Sequence, residues 1–168
     1  MVRFYLLFLL CSVLLSIHAC SQSAAGRPAS APVEELFAGS TPCDSAMQAC
    51  LPIPAAAVCD FIRWEVHLQE KDTAAGQFRF SARYGESQPN TNGFYGGGTV
   101  IAVSGTYSVE FGFGPDPYTK YYRLKGDGLN APILLRQLDP NILYFTDNNR
   151  QLLVGNGGYS FVLNRLAE

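Results

Sequence analysis

Apolar and polar residues alternate with period two along much of the chain after residue 60. In FIRWEVHLQE (61–70), Trp64, Val66 and Leu68 fall on one face and Glu65, His67 and Gln69 on the other. GQFRFSARYG (76–85) repeats the pattern, with Phe78, Phe80, Ala82 and Tyr84 facing inward and Gln77, Arg79, Ser81 and Arg83 outward. Further strand-like runs follow: TVIAVSGTYSVEFGFG, TKYYRLKG, ILLRQL, ILYFTD, RQLLVG and YSFVLNRL. The turn signals QPNTNG, GPDP, GDG, DNN and GNGG separate them. Many short strands with abundant Gly, Tyr and Phe predict an all-β fold, an antiparallel sandwich or small barrel.

The first residues follow a different pattern. One cation, Arg3, precedes an apolar run from Phe4 to Ala19, shorter than the roughly 20 residues that span a bilayer as a helix. A basic start, a short apolar core and a small residue before a polar segment predict an export signal over 1–19. Its end, Ile17-His18-Ala19-Cys20, resembles the lipobox of bacterial lipoproteins, which implies cleavage before Cys20 and its modification as a lipid anchor. The alternative is ordinary secretion with cleavage near Ala19. Ser21, by resemblance to lipoprotein sorting rules, implies the outer membrane. Several acyl chains at roughly 0.8 kcal/mol per buried methylene would anchor the chain stably.

Residues 20–42, rich in Ala, Ser, Pro and Gly, read as a flexible, lipid-anchored linker. Residues 43–168 then form one domain large enough for a real core. The formal net charge is −2, without a block of like charge, which makes the chain a poor candidate for nucleic acid or an anionic membrane surface.

TPCDSAMQACLP (41–52) carries helix-start chemistry. Thr41 is the candidate N-cap, Pro42 suits the first helical position and Asp44 completes a capping-box spacing. Pro52 ends the segment, so one short helix is predicted over about 42–50. On it Cys43, Met47 and Cys50 share a face, a soft-ligand stripe suited to Cu(I). Residues seven apart on a helix lie about 10.5 Å apart along its axis, however. That is too far for Cys43 and Cys50 to bridge, and far for one ion to reach both thiolates. In an oxidising compartment a disulfide is the default, and Cys43, Cys50 and Cys59 permit one bridge with a thiol left over. Cys50 or Cys43 paired with Cys59 would close the Pro-rich loop onto the first strand. The remaining thiol is either a redox sensor or a buried side chain.

Other chemical candidates are sparse. His67, beside Glu65 on the outer face, reads as a solvated strand residue; no second His or nucleophile elbow accompanies it. YGGGTV and GNGGYS lack the Gly-Lys-Ser/Thr ending of a phosphate loop and read as turns. DNN (147–149) lacks the later ligands of a calcium loop. Trp64, Phe78, Phe80 and Tyr107 would fill a small barrel, or line a ligand cavity if it were open.

Three stretches resemble the N-terminal domain of the NlpE-type lipoproteins, linked to copper homeostasis and envelope stress. They are CDFIRWEVHLQEKD (59–72), GTYSVEFGFGPDPYTKYYRLKGDGL (105–129) and the ending ILYFTDNNRQLLVGNGGYSFVLNR (142–165). The resemblance implies a small lipocalin-like β-barrel, no enzymatic activity, and work as an envelope sensor or interaction module through a protein partner. Of the family's Cys-x-x-Cys, Cys59 matches the second cysteine and Ala56 holds the place of the first. Two other readings compete: a lipocalin-like carrier of a small apolar ligand, and an inhibitor of a periplasmic hydrolase acting through YGESQPNTNGFYGGG (84–98).

Overall fold

The computed structural model describes residues 33–113 and 116–167. The expected export signal, the expected anchor Cys20 and most of the expected linker lie outside them. Eight antiparallel strands close into an up-and-down barrel in chain order. They are β1 (Glu34–Pro42), β2 (Phe61–Glu70), β3 (Ala75–Gly85), β4 (Thr99–Phe113), β5 (Asp116–Gly126), β6 (Ile133–Asp139), β7 (Ile142–Thr146) and β8 (Val162–Arg165). The expected all-β, lipocalin-like barrel is the fold.

The alternation in β2 and β3 sorts side chains as the sequence predicts: Trp64, Val66, Leu68, Phe78, Phe80, Ala82 and Tyr84 are all buried. Trp64 packs edge-on to Phe80 and against Phe145, which meets Phe161 in turn. The barrel interior is therefore filled by aromatic side chains, and Trp64, Phe78, Phe80 and Tyr107 belong to one continuous core.

The expected linker boundary moves. Residues 34–42 are not tether but the first strand, paired along its whole length with β2 and through Phe37 and Ala38 with β8. Its inward positions are Glu35, Phe37, Gly39 and Thr41, only one of them large and apolar, so the strand carries little hydrophobic signal. Gly39 sits where any Cβ would collide with the Val162 carbonyl oxygen, and its absence lets β8 close the barrel against β1. The run 150–155, expected as a strand, is not one; it meets β7 through a Thr146–Leu152 bridge and the Leu153 amide, which donates to Phe145 O at 3.2 Å. It belongs to a loop that covers the outward-facing but buried Tyr121, with the Arg150 guanidinium 5.1 Å from that ring's centre.

Candidate functional site

The two ends of the barrel differ. One is closed by α1 (Ser45–Cys50), which sends Met47 into the core, followed by the fully buried Leu51. Asn130 latches this cap by donating from its backbone to Cys50 O (2.9 Å) and from its amide to Leu51 O (2.8 Å). The helix begins later than predicted. Its N-cap is Asp44, whose carboxylate accepts from the Ala46 and Met47 amides, both at 3.1 Å. Thr41 instead lies in β1, fully buried, and its Oγ1 accepts from Trp64 Nε1 at 2.9 Å. A buried indole N–H left unsatisfied would be costly, so tertiary demand takes Thr41 away from the helix start.

Of the two pairings predicted for Cys59, the structure has Cys43–Cys59, with Cα atoms 5.7 Å apart. The bridge closes a 16-residue separation and stabilises the fold by about 3 kcal/mol through the unfolded state. Cys43 is thus consumed, Met47 is a core side chain, and the Cys43-Met47-Cys50 copper stripe is not assembled. Among the described residues no group of three or more His, Cys, Asp or Glu side chains is placed to hold a metal ion. Cys50 keeps a free, half-buried thiol, 3.9 Å from the Pro132 carbonyl oxygen. Burial, and then the Asp44 charge, push its pKa up, away from the thiolate that redox or metal chemistry needs. His67 is less solvated than expected: it lies 3.1 Å from both Glu65 and Glu34 in an outer-face cluster with Arg79. DNN is a turn, with the Asp147 carboxylate accepting from the Asn149 and Gln151 amides. GNGG is likewise a turn, organised by the Asn156 side chain.

The opposite end is open, and polar groups converge there. A cavity of about 100 Å³ is lined by Glu35, Glu70, Tyr107, Lys120, Tyr122 and Gln137 among others. Each reaches it by strand alternation. Glu35 lies opposite Leu68 and Glu70 continues the inward series Trp64, Val66, Leu68; Lys120 pairs with Gln137 and precedes inward Tyr122 and Leu124. Gly76, directly across from Tyr107, leaves the space that the end of the phenol ring occupies. The two tyrosine rings meet edge to face at 5.4 Å, and Lys120 Nζ stands 4.6 Å from the centre of the Tyr122 ring. Glu35 is paired with Arg165 at 3.1 Å. Burial first pushes both phenols up to about 12; Tyr122 and then the Glu70 and Glu35 charges add to it at Tyr107, and the Glu35 and Glu70 charges at Tyr122. They remain protonated donors across the physiological range. A larger hollow of about 440 Å³ on the outer face of β1–β3, lined in part by Ser40, Arg63, Glu65 and Arg83, is an open groove between long side chains. The enclosed mouth is the better-built site.

Beside the mouth, β4 and β5 outrun their neighbours. The β3–β4 ladder ends at Ala75–Ser108 and the β5–β6 ladder at Lys120–Gln137, while β4 and β5 stay paired out to Phe113 and Asp116. Val109 and Lys120 line the cavity, so Phe111 and Tyr118, two residues further along each strand, stand on the mouth-facing side of this arm. They are 61% and 85% exposed. The other side is braced: Glu110 accepts from Arg123 and Arg150, and Arg150 also donates to Gly112 O at 2.8 Å. The Arg123 hydrogen bond chiefly holds the Glu110 carboxyl below its ordinary range.

Comparison of the chain with family models, curated proteins and solved structures returned no match. None of the mouth residues except Tyr107 was singled out from sequence. The signal was present all the same: Glu70 and Lys120 occupy inward phases at strand ends, where a charged residue breaks the alternation.

Proposed function

We propose that the protein is an exported, lipid-anchored, non-enzymatic binding module of the bacterial envelope, working through the open end of its barrel on a protein partner. The observation that carries this reading is the braced arm with Phe111 and Tyr118 exposed on its inner side. Exposed aromatic side chains are among the residues that contribute most when a protein interface closes. A Cys43–Cys59 bridge suits an oxidising compartment, in keeping with the lipobox-like Cys20. The first described strand starts at Glu34, beside the mouth.

The envelope-stress side of the NlpE resemblance agrees with such a module. Its copper side finds no ligand set among the described residues, since Cys43, Met47 and Cys50 serve a staple, a core and a capping segment. A filled interior leaves the apolar-carrier reading without a chamber. The loop proposed for hydrolase inhibition is tied down by Asp60, which accepts from both the amide and hydroxyl of Ser87, and by stacking of Phe94 on Phe61.

Photo-crosslinking amino acids placed at Phe111, Tyr118 and, as an outer-face control, Ser81 test the reading in cells carrying the full chain. A discrete protein adduct from the two arm positions and none from Ser81 is expected. Adducts from Ser81 alone, or from no position, would overturn it.

A further inference from the structure

Opposite charges that line one small cavity attract one another. At the barrel mouth two of them stay unpaired. The Glu70 carboxylate and the Lys120 ammonium line the same cavity of about 100 Å³, yet no ion pair joins them. Among the described residues neither has a hydrogen-bond partner, and Lys120 has only the Tyr122 ring face. Tyr107 and Tyr122, 5% and 3% exposed, line the cavity without a hydrogen-bond partner for either hydroxyl. The Gln137 amide is in the same state. Two buried tyrosines thus open their hydroxyls onto one space without a protein partner, and the exposed Glu70 carboxylate and the half-buried Lys120 ammonium and Gln137 amide ring it, an arrangement of convergent polar groups suited to a small polar molecule.

The charges say which kind. Glu35 is neutralised by Arg165, which leaves one unpaired anion and one unpaired cation facing the cavity. A simple cation would meet Lys120, and a simple anion would meet Glu70. We propose that the mouth cavity binds a small zwitterion, with its carboxylate on Lys120, Gln137 and a phenol hydroxyl, and its ammonium on Glu70 and the tyrosine faces. A single water takes about 30 Å³ of liquid, so this space admits a molecule of roughly five or six heavy atoms, the size of glycine or alanine. The tyrosine faces attract an ammonium by their quadrupole, as the position of Lys120 over Tyr122 already illustrates.

This inference goes beyond the anchored-module reading and fails separately from it, since the cavity needs neither the lipid nor a protein partner. The test is a titration of the full chain in detergent, followed by NMR of the tyrosine ring protons, with glycine, methylammonium and acetate as probes. Glycine is expected to bind at least tenfold more tightly than either half-molecule. Glu70→Gln and Lys120→Met should each weaken glycine about tenfold, while Arg83→Gln on the outer face leaves it unchanged. Half-molecules that bind as well as glycine would overturn the proposal. So would an absence of shifts at tens of millimolar glycine, which would make the cavity a water pocket. The probe comparison on the unaltered chain needs no variant and stands even if a substitution disturbs the fold.

Discussion

Single residues carry most of what distinguishes this barrel from a generic one. Thr41 is the clearest case. Read locally it is a helix N-cap, but its hydroxyl is taken by the buried indole of Trp64, and Asp44 does the capping three residues later. Thr41→Val should therefore destabilise the fold by about 1–2 kcal/mol with the helix intact, because it orphans a buried donor. Denaturant unfolding and circular dichroism check both halves of that statement. Cys50 shows the same precedence of tertiary context over local pattern. Its thiol is half-buried with a raised pKa, so in the folded protein iodoacetamide should modify it many times more slowly than an exposed thiol at pH 8, and quickly once the chain is unfolded. Rapid modification of the native chain would restore the sensor reading. The inward charges at the mouth were legible in principle. Glu70 stands in phase with Trp64, Val66 and Leu68, and a carboxylate in that series marks either a strand end or a site.

At the scale of elements, legibility followed the number of large apolar residues on the inward face. β2 and β3 place three or four there and could be read directly. β1 places only Phe37 between Glu35, Gly39 and Thr41, so the same geometry left almost no periodic trace. The run 150–155 errs in the opposite direction. It has the apolar content of a strand, but Leu153 packs on the core while Leu152 and Val154 stay exposed in a covering loop. The β4–β5 arm was visible as two strand-like runs about a GPDP turn; its projection was not, since that depends on where β3 and β6 stop. Glu110 is what holds the arm from outside. Glu110→Gln should cost about 1 kcal/mol, modest because the cluster is partly solvated, and should raise hydrogen exchange selectively in residues 110–120. Uniform exchange across the barrel after that substitution would show that the brace is not local.

For the whole molecule, one end is sealed by a stapled helix and the other is open, polar and aromatic. Both mouth tyrosines have folded-state pKa values of about 12, against about 10 in an unfolded chain. Between pH 10 and 12 the folded state then holds more protons than the unfolded one, so stability falls as pH rises through that window. Below pH 10 these two groups leave stability unchanged. Absorbance at 295 nm during an alkaline titration should show two late-ionising tyrosines in the native protein, whereas Tyr107→Phe should show one.

Compartment and staple together are the foundation of the functional reading, and intact-mass spectrometry of the mature chain from its own membranes, with and without alkylation under native and unfolding conditions, tests both at once. The predicted result is a chain beginning at an acylated Cys20, with a Cys43–Cys59 bridge and one alkylatable thiol at Cys50. A chain that keeps residues 1–19, or one that yields three alkylatable thiols among Cys43, Cys50 and Cys59, would contradict an anchored envelope module.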